Sequence, residues 1–152
     1  MTNKQTESFC VTGLFIRTTN ENGAAAGTIP PLWQKFISEN TMAQIPGKAS
    51  NDIYCVYTEY EKDYTRPYTV VLGCRVEAAA PVPEGFKKIA ISAGNYAVFT
   101  AKGKLDEGIV YQAWTEIWNS TAKRIYTADF EVYGAKAADP ANAEVDIFVA
   151  TV

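Results

Sequence analysis

Two carboxylates alternate with aromatic and aliphatic side chains in the stretch Asp129-Phe130-Glu131-Val132-Tyr133. This alternation is typical of a short β-strand, on which successive side chains point to opposite faces. Asp129, Glu131 and Tyr133 would share one face, and Phe130 and Val132 would share the other. No basic residue stands next to Glu131 in the sequence, so burial of its face would leave a carboxylate among aromatic rings.

Glu131 admits two interpretations. A buried carboxylate is costly unless a partner neutralises it, and a cationic ligand is one such partner. Charged residues are mostly exposed, so the alternative is a solvated strand residue or one half of a cross-strand pair with Lys or Arg. The alternation by itself leaves both interpretations open.

The composition predicts one globular domain over residues 1–152. Hydrophobic residues make up 47% of the chain and charged residues 20%, which allows a substantial core. Nine Tyr, seven Phe and three Trp favour either a large packed core or a pocket lined with rings. A net charge of −3 without a basic run argues against direct binding to nucleic acid. No apolar stretch has membrane-spanning length, so no membrane partner is expected.

The cysteine and histidine content narrows the chemistry. The three cysteines, Cys10, Cys55 and Cys74, are widely spaced and lack metal-ligand spacing, so we expect buried free thiols and a cytoplasmic protein. The chain has no histidine, which excludes Ser-His-Asp and Cys-His pairs and removes the commonest metal ligand. No phosphate-binding or dinucleotide motif is present, so no cofactor or metal is expected. Any catalysis would depend on carboxylates, Tyr or Lys.

The elements that must position these residues follow from the hydrophobic spacing. Alternating and β-branched runs predict strands at residues 7–18, 52–60, 68–76, 87–92, 96–102, 129–133 and 144–152. A first helix is predicted from a Thr28 cap, through Pro30 and Pro31 in its first turn, to about Asn40. Residues 20–27 before it would be a mobile connection. A second helix is predicted over about residues 106–119.

The two halves of the chain resemble each other. The matching segments are residues 31–36 with 112–117, Cys55-Val56-Tyr57 with Glu131-Val132-Tyr133, and residues 68–76 with 144–152. We infer a duplicated strand-helix-strand-strand module, with halves at about residues 7–77 and 86–152. The expected fold is α+β, with about eight antiparallel strands and two helices that leave a groove between them. Because the counterpart of Glu131 is Cys55, a carboxylate on only one side of this groove indicates function more than packing.

Six segments carry a resemblance to a known family. They are Ile29-Pro30-Pro31-Leu32-Trp33, Gly73 before Arg75-Val76, Ile91-Ser92-Ala93-Gly94-Asn95-Tyr96-Ala97-Val98-Phe99, Trp114-Thr115-Glu116-Ile117-Trp118, Asp129-Phe130-Glu131-Val132-Tyr133 and Val145-Asp146-Ile147-Phe148-Val149. In this order the chain resembles the GyrI-like effector-binding domains, the ligand-sensing modules of multidrug-responsive AraC- and MerR-type transcription regulators. The resemblance covers nearly the whole chain. The module begins within the first ten residues, so we expect a stand-alone sensor or binder without the helix-turn-helix of the regulators.

The resemblance implies a cleft for bulky, aromatic and often cationic compounds, with an acidic residue at its base. Glu131 stands at the position of that acid, and Tyr133 and Phe148 match pocket-lining positions. The wall residues implied on the two helices are Trp33, Phe36, Tyr111 and Trp114. Tyr57 fits the core and the wall equally, whereas Ile117 and Trp118 are predicted core residues.

Two further functions stay open beside the binding of a small aromatic cation. Some stand-alone relatives resemble hydrolases of reactive electrophilic small molecules, in which Glu131 would be the general base and Tyr133 the nearby hydroxyl. No sequence feature demands turnover, so an enzyme is not the first expectation. The gyrase-inhibiting name of the family suggests instead a groove that holds a protein partner, and a homodimer is compatible with the sequence.

Overall fold

The computed structural model describes residues 1–152, and its eight strands form one antiparallel sheet. The strands are β1 (Thr2–Thr6), β2 (Phe9–Thr18), β3 (Ile53–Thr58), β4 (Tyr68–Val76), β5 (Lys87–Ile91), β6 (Gly94–Gly103), β7 (Arg124–Tyr133) and β8 (Ala143–Thr151). The helices are α1 (Ala24–Ser38), α2 (Thr41–Gln44) and α3 (Ile109–Trp118). The predicted α+β class with eight antiparallel strands is confirmed, and the short helix α2 is an addition to the two predicted helices.

The order of the strands shows how the two halves are arranged. Across the sheet it is β1-β6-β8-β7-β3-β4-β2-β5, so each strand of one half has its equivalent at the mirrored place in the other. β1 and β5 have five residues each, β2 and β6 have ten, and β4 and β8 have nine. Helices α1 and α3 both begin after a glycine in the left-handed conformation, Gly23 and Gly108. The halves meet at β3 and β7, in the middle of the sheet.

The first strand of each half pairs with a strand of the other half. β1 pairs with β6, and β5 pairs with β2. Only residues 7–8 separate β1 from β2, although the two strands stand six positions apart in the sheet. A link of that length reaches about 10 Å, far less than the roughly 29 Å that six strand spacings would cover in a flat sheet. The sheet must therefore curl until its two edges approach each other.

The two faces of the sheet are covered differently. On one face, which we call the helix face, α1 packs Leu32 and Phe36 against β2, β3 and β4, while α3 packs Ala113, Trp114 and Ile117 against β6 and β8. The other face carries no helix. Its core consists of strand residues alone, and the curl of the sheet brings them together: Val11, Val56, Val71, Ile89, Ile91, Tyr96, Ala128, Phe130 and Ala150.

A glycine pair lets two strands approach closely in this curled sheet. Gly13 on β2 and Gly73 on β4 are directly opposed. A Cβ atom on Gly13 would lie 2.0 Å from the carbonyl oxygen of Leu72, and one on Gly73 would lie 1.9 Å from that of Thr12. Neither position can carry a side chain without moving the backbone, which explains the glycine in both strands.

Several elements differ from the sequence-based expectation, among them β7, which begins at Arg124 and not at Asp129. β1 was not predicted because its polar residues carry no hydrophobic pattern, and its pairing with β6 stabilises it instead. α1 begins at Ala24, so the prediction of a mobile connection is wrong for residues 24–27. Thr28 is not a cap either, since its hydroxyl donates to the carbonyl of Ala24 inside the helix. Three consecutive alanines favour helix strongly enough to extend it ahead of Pro30 and Pro31.

None of the three helices is long and apolar enough to cross a membrane. No cluster of His, Cys, Asp or Glu side chains has the arrangement of a metal site. The three cysteines are free thiols, of which Cys55 and Cys74 are buried.

Candidate ligand site around Glu131

Glu131 lies at the centre of the sheet. Its neighbours across the strands are Cys55 on β3 and Ile147 on β8. Phe130 and Val132 belong to the core of the opposite face, as the alternation predicts. Only 2% of Glu131 is exposed. The structure therefore buries this carboxylate on the helix face.

Three aromatic side chains donate hydrogen bonds to the Glu131 carboxylate. The Tyr133 hydroxyl donates to Oε1 at 2.6 Å. The Tyr57 hydroxyl and the Trp114 indole Nε1 both donate to Oε2, each at 2.7 Å. These bonds offset part of the cost of removing the charge from water. Because the donors come from β7, β3 and α3, the arrangement depends on both halves of the fold.

No positive charge balances Glu131. The ion pairs of the chain involve other carboxylates, and Glu131 takes part in none of them. Burial raises the pKa of Glu131 above the ordinary value of 4.5, against the opposing effect of the three hydrogen bonds. Burial also raises the pKa of Tyr57 and Tyr133 well above the usual tyrosine value, so both hydroxyls stay protonated donors.

Two ring pairs flank Glu131 in a pseudo-symmetric arrangement. Trp33 of α1 meets Tyr133 edge-on, with ring centroids 4.7 Å apart and planes at 74°. Trp114 of α3 meets Tyr57 at 5.2 Å and 75°. Each helix thus contacts the central strand of the other half. The symmetry is broken in one respect, because Trp114 donates to Glu131 whereas Trp33 makes no side-chain hydrogen bond there.

Two predicted wall residues lie elsewhere. Phe36 is 2% exposed and belongs to the core beneath α1. Tyr111 is 67% exposed, and its ring neighbour is Trp118 at 6.0 Å. The structure therefore does not bring either residue to Glu131, because they lie on other sides of their helices. Ile117 is a core residue as predicted, while Trp118 is only partly buried.

Phe148 lies on the opposite face of the sheet from Glu131. Its partner on β7 is Phe130, and the two rings stack with centroids 4.7 Å apart and planes 9° from parallel. The prediction that Phe148 lines the same pocket as Glu131 is wrong, because the pairing register places Ile147 opposite Glu131 and alternation then turns Phe148 away. Phe148 instead lines an open recess of about 340 Å³ together with Phe9 and Tyr54.

A second polar cluster, centred on Asp129, adjoins the site. Asp129 is fully buried and accepts hydrogen bonds from Arg124 Nη2 at 2.7 Å, from the Tyr60 hydroxyl at 2.5 Å and from the backbone amide of Ala150 at 2.9 Å. Tyr60 reaches the helix face because Glu59, which directly follows β3, has a φ of 51° and ends the strand alternation there. Asp129 is thus a second carboxylate next to Glu131, but one that a guanidinium neutralises.

Tyr68 joins the two carboxylate clusters. Its ring centroid lies 5.9 Å from that of Tyr57 and 5.7 Å from that of Tyr60. Burial raises the pKa of Tyr68 to about 12. Glu59 is exposed and pairs with Lys87, so it joins neither cluster. Rings thus connect Glu131 to Asp129 without an intervening basic residue.

Comparison with known proteins identifies the relatives of this chain. It matches the model of the Cass2 family, described as integron-associated effector binding protein, over residues 4–151. YobU of Bacillus subtilis (strain 168), named as a transcriptional regulator, is 35% identical over 126 residues, which cover 80% of this chain and 78% of YobU. The transcriptional regulator BrlR of Pseudomonas aeruginosa is 30% identical over 135 residues, which cover 84% of this chain and 48% of BrlR. The chain thus spans about half the length of BrlR.

Solved structures share the fold. The integron cassette protein VCH_CASS2 from the mobile metagenome of Vibrio cholerae is 30% identical, with a TM-score of 0.74 and coverage of 99% of this chain and 95% of that one. SAV2435 bound to tetraphenylphosphonium is 16% identical, with a TM-score of 0.80 and coverage of 99% and 93%. The C-terminal domain of EcmrR is 16% identical, with a TM-score of 0.55 and coverage of 99% and 96%. The last two likenesses concern the fold alone.

The fold and these relatives define an effector-binding domain of the GyrI-like kind, related to transcription regulators, and confirm the resemblance seen in the sequence. Within that class, the chain belongs to the Cass2 family of integron-associated effector binding proteins. It is therefore a small-molecule-binding module.

Proposed function

We propose that this chain binds bulky aromatic cations at Glu131. The observation that carries the proposal is a carboxylate that is 2% exposed, is held by three neutral donors and has no basic partner. A buried charge of this kind is costly by itself, and a cation supplies the opposite charge. An anion in the same place would meet repulsion, so the carboxylate sets the charge selectivity.

The rings around the carboxylate supply the rest of the affinity. Trp33, Tyr133, Trp114 and Tyr57 surround it with aromatic edges and faces. A cation over an aromatic face gains about 0.5–2 kcal/mol per contact, depending on how far it is desolvated. Ring contacts tolerate ligands of varied shape, because they impose few directional bonds. We therefore expect broad specificity among aromatic cations.

Access to Glu131 requires a movement. At 2% exposure, the carboxylate can meet a bulky ligand only when a covering ring moves aside. Trp33 is held less firmly than Trp114. The Trp33 side chain is partly exposed and its indole makes no hydrogen bond, whereas Trp114 is buried and its indole donates a hydrogen bond to Glu131. We infer that the ligand enters past Trp33 of α1.

The test is a binding titration with ligands of similar bulk and different charge. Tryptophan fluorescence would follow the binding of tetraphenylphosphonium, triphenylphosphine oxide and tetraphenylborate to the wild-type chain, to Glu131→Gln and to Glu116→Gln. Glu116 is an exposed carboxylate on α3 that forms no ion pair, so its variant controls for net charge. We expect the wild-type chain and Glu116→Gln to bind only the cation, tetraphenylphosphonium. Glu131→Gln should lose that binding. Equal binding of all three compounds, or equal losses in both variants, would overturn the proposal.

A further inference from the structure

Arg124 is a second polar group with unmet bonding capacity beside this site. Its side chain is only 5% exposed, and its Nη2 pairs with Asp129 at 2.7 Å. Nε and Nη1 are buried and have no hydrogen-bond partner. A buried N–H group without an acceptor is energetically costly, and buried polar groups are nearly always hydrogen-bonded. Two of the three guanidinium nitrogens of Arg124 therefore carry N–H donors that no acceptor in the fold satisfies.

The rings that pack against Arg124 do not supply that acceptor. Three rings surround the guanidinium, with centroids at 4.4 Å for Tyr126, 5.7 Å for Tyr64 and 5.8 Å for Trp114. Rings attract the face of a guanidinium through its charge. Its N–H donors lie in its plane and require an acceptor oxygen or nitrogen. The aromatic box thus holds Arg124 in place and leaves its donors free.

Two features place Arg124 near Glu131. The two residues share Trp114, whose indole nitrogen donates to Glu131 while its ring packs beside Arg124. Asp129, the partner of Arg124, is two residues from Glu131 on the same face of β7, so the Cα atoms of Asp129 and Glu131 are about 7 Å apart. A substituted aromatic ring spans about that distance, so a ligand bound at Glu131 reaches Arg124 when it also displaces the Trp114 ring that lies between the two groups.

We propose that Arg124 forms an acceptor subsite next to Glu131, so that the preferred ligand is an aromatic cation carrying a carbonyl or similar oxygen across the ring from its positive centre. This inference rests on the proposed function, because Glu131 must take the positive centre. Asp129 neutralises the charge of Arg124, so the subsite does not repel a cation. Its free N–H groups then select for a neutral acceptor oxygen.

The test compares two cations that differ only in the acceptor. They are 4-benzoyl-N,N,N-trimethylanilinium, which has a ketone, and 4-benzyl-N,N,N-trimethylanilinium, which has a methylene in its place. A hydrogen bond to a guanidinium should make the benzoyl compound bind about tenfold more tightly to the wild-type chain. In Arg124→Lys, which keeps the charge beside Asp129 but not the planar donors, that preference should fall below about twofold while the affinity for the benzyl compound is retained.

The outcomes separate this inference from the proposed function. Failure of both cations to bind the wild-type chain overturns the proposed function and the subsite with it. Equal binding of the two compounds, or a preference that survives in Arg124→Lys, overturns the subsite alone. Arg75→Lys, an exposed position on a different strand, is the matched control and should leave the preference intact.

An infrared spectrum keeps the inference testable even when Arg124→Lys does not fold. The ketone stretch of the bound benzoyl compound should move to lower wavenumber than in water, because a charged donor polarises the carbonyl more strongly than water does. A ketone stretch at or above its position in water would mean that no guanidinium donor reaches the oxygen, and would overturn the subsite.

Discussion

Cys55 and Glu131 face each other across the two central strands, and they are also equivalent positions of the two halves. In an antiparallel pair related by two-fold symmetry, only a residue on the axis faces its own equivalent. The pseudo-two-fold axis of this fold therefore passes between Cys55 and Glu131. The equivalent tyrosines Tyr57 and Tyr133 then approach the carboxylate from its two sides, one bonded to each oxygen. The single charge thus lies on the axis, where both halves can reach it.

The first prediction concerns stability, since the charge on Glu131 opposes folding in the absence of ligand. The pKa of Glu131 is raised in the folded chain, so the folded state favours the proton. The stability that the folded chain gains from this preference for protonated Glu131 is fully present below pH 4.5 and is lost as the pH rises through the pKa of the folded state. Glu131→Gln removes this loss, and we expect its melting temperature at pH 7.5 to exceed that of the wild type by about 2–4 °C, the effect of about 1 kcal/mol in a chain of this size.

Thermal unfolding from pH 4 to pH 8 would check this prediction. The difference between Glu131→Gln and the wild type should grow as the pH rises. Cys55→Ala is the control, because it changes the opposing position without removing a carboxylate. Burial raises the pKa of the Cys55 thiol well above its ordinary value, so the effect of that variant should not vary with pH in this range. A pH-independent difference for Glu131→Gln would contradict the raised pKa.

The second prediction concerns the pH dependence of ligand binding. A cation binds the ionised carboxylate, so protonation of Glu131 competes with the ligand. Because burial raises the pKa of Glu131, affinity should begin to fall at a higher pH than an exposed glutamate would cause. Tetraphenylphosphonium has no titrating group, so any pH dependence belongs to the protein. Calorimetric titrations from pH 8 to pH 5 should show this fall for the wild type, whereas any residual binding by Glu131→Gln should not change with pH.

The third prediction separates the two tyrosines. Glu131 Oε2 accepts from both Tyr57 and Trp114, whereas Oε1 accepts from Tyr133 alone. Tyr133→Phe therefore removes every protein donor from one oxygen, while Tyr57→Phe leaves one donor on the other. Each lost bond to a charged group should cost about 1.5–3 kcal/mol at neutral pH. The pH at which cation binding is half lost should rise more in Tyr133→Phe than in Tyr57→Phe. The reverse order would show that the two oxygens are not held as the hydrogen bonds indicate.

Much of this site follows from local sequence. Alternation alone separates Glu131 from Phe130 and Val132, and the internal repeat pairs Trp33 with Trp114 before any coordinates are known. These features depend on side chains that are close in sequence or that recur in it. The repeat of two residues in a strand and about 3.6 residues in a helix is enough to predict on which face such side chains lie.

The remaining features depend on long-range geometry. The prediction for Phe148 is wrong because the register between β7 and β8 decides which residue of β8 lies opposite Glu131, and a shift of one residue exchanges the faces. Arg124 was missed because an irregularity between Arg124 and Asp129, with a φ of 57° at Tyr126, brings the guanidinium back to its partner. Spacing in the sequence does not reveal such a bulge.

The fourth prediction tests the two faces directly with a matched pair of substitutions, Trp33→Leu and Phe148→Leu. Both replace a partly exposed ring by an aliphatic side chain, so both should lower stability by about 0.5–1.5 kcal/mol through the loss of an aromatic contact. Only Trp33 lies on the helix face with Glu131, so only Trp33→Leu should weaken the binding of tetraphenylphosphonium. The expected loss of affinity is about threefold to tenfold, because a cation–ring contact contributes about 0.5–2 kcal/mol. Phe148→Leu should bind this cation within about twofold of the wild type. Calorimetry would measure the affinity of both variants. If Phe148→Leu lost the ligand and Trp33→Leu kept it, the binding site would be the recess on the other face of the sheet, and Glu131 would not belong to it.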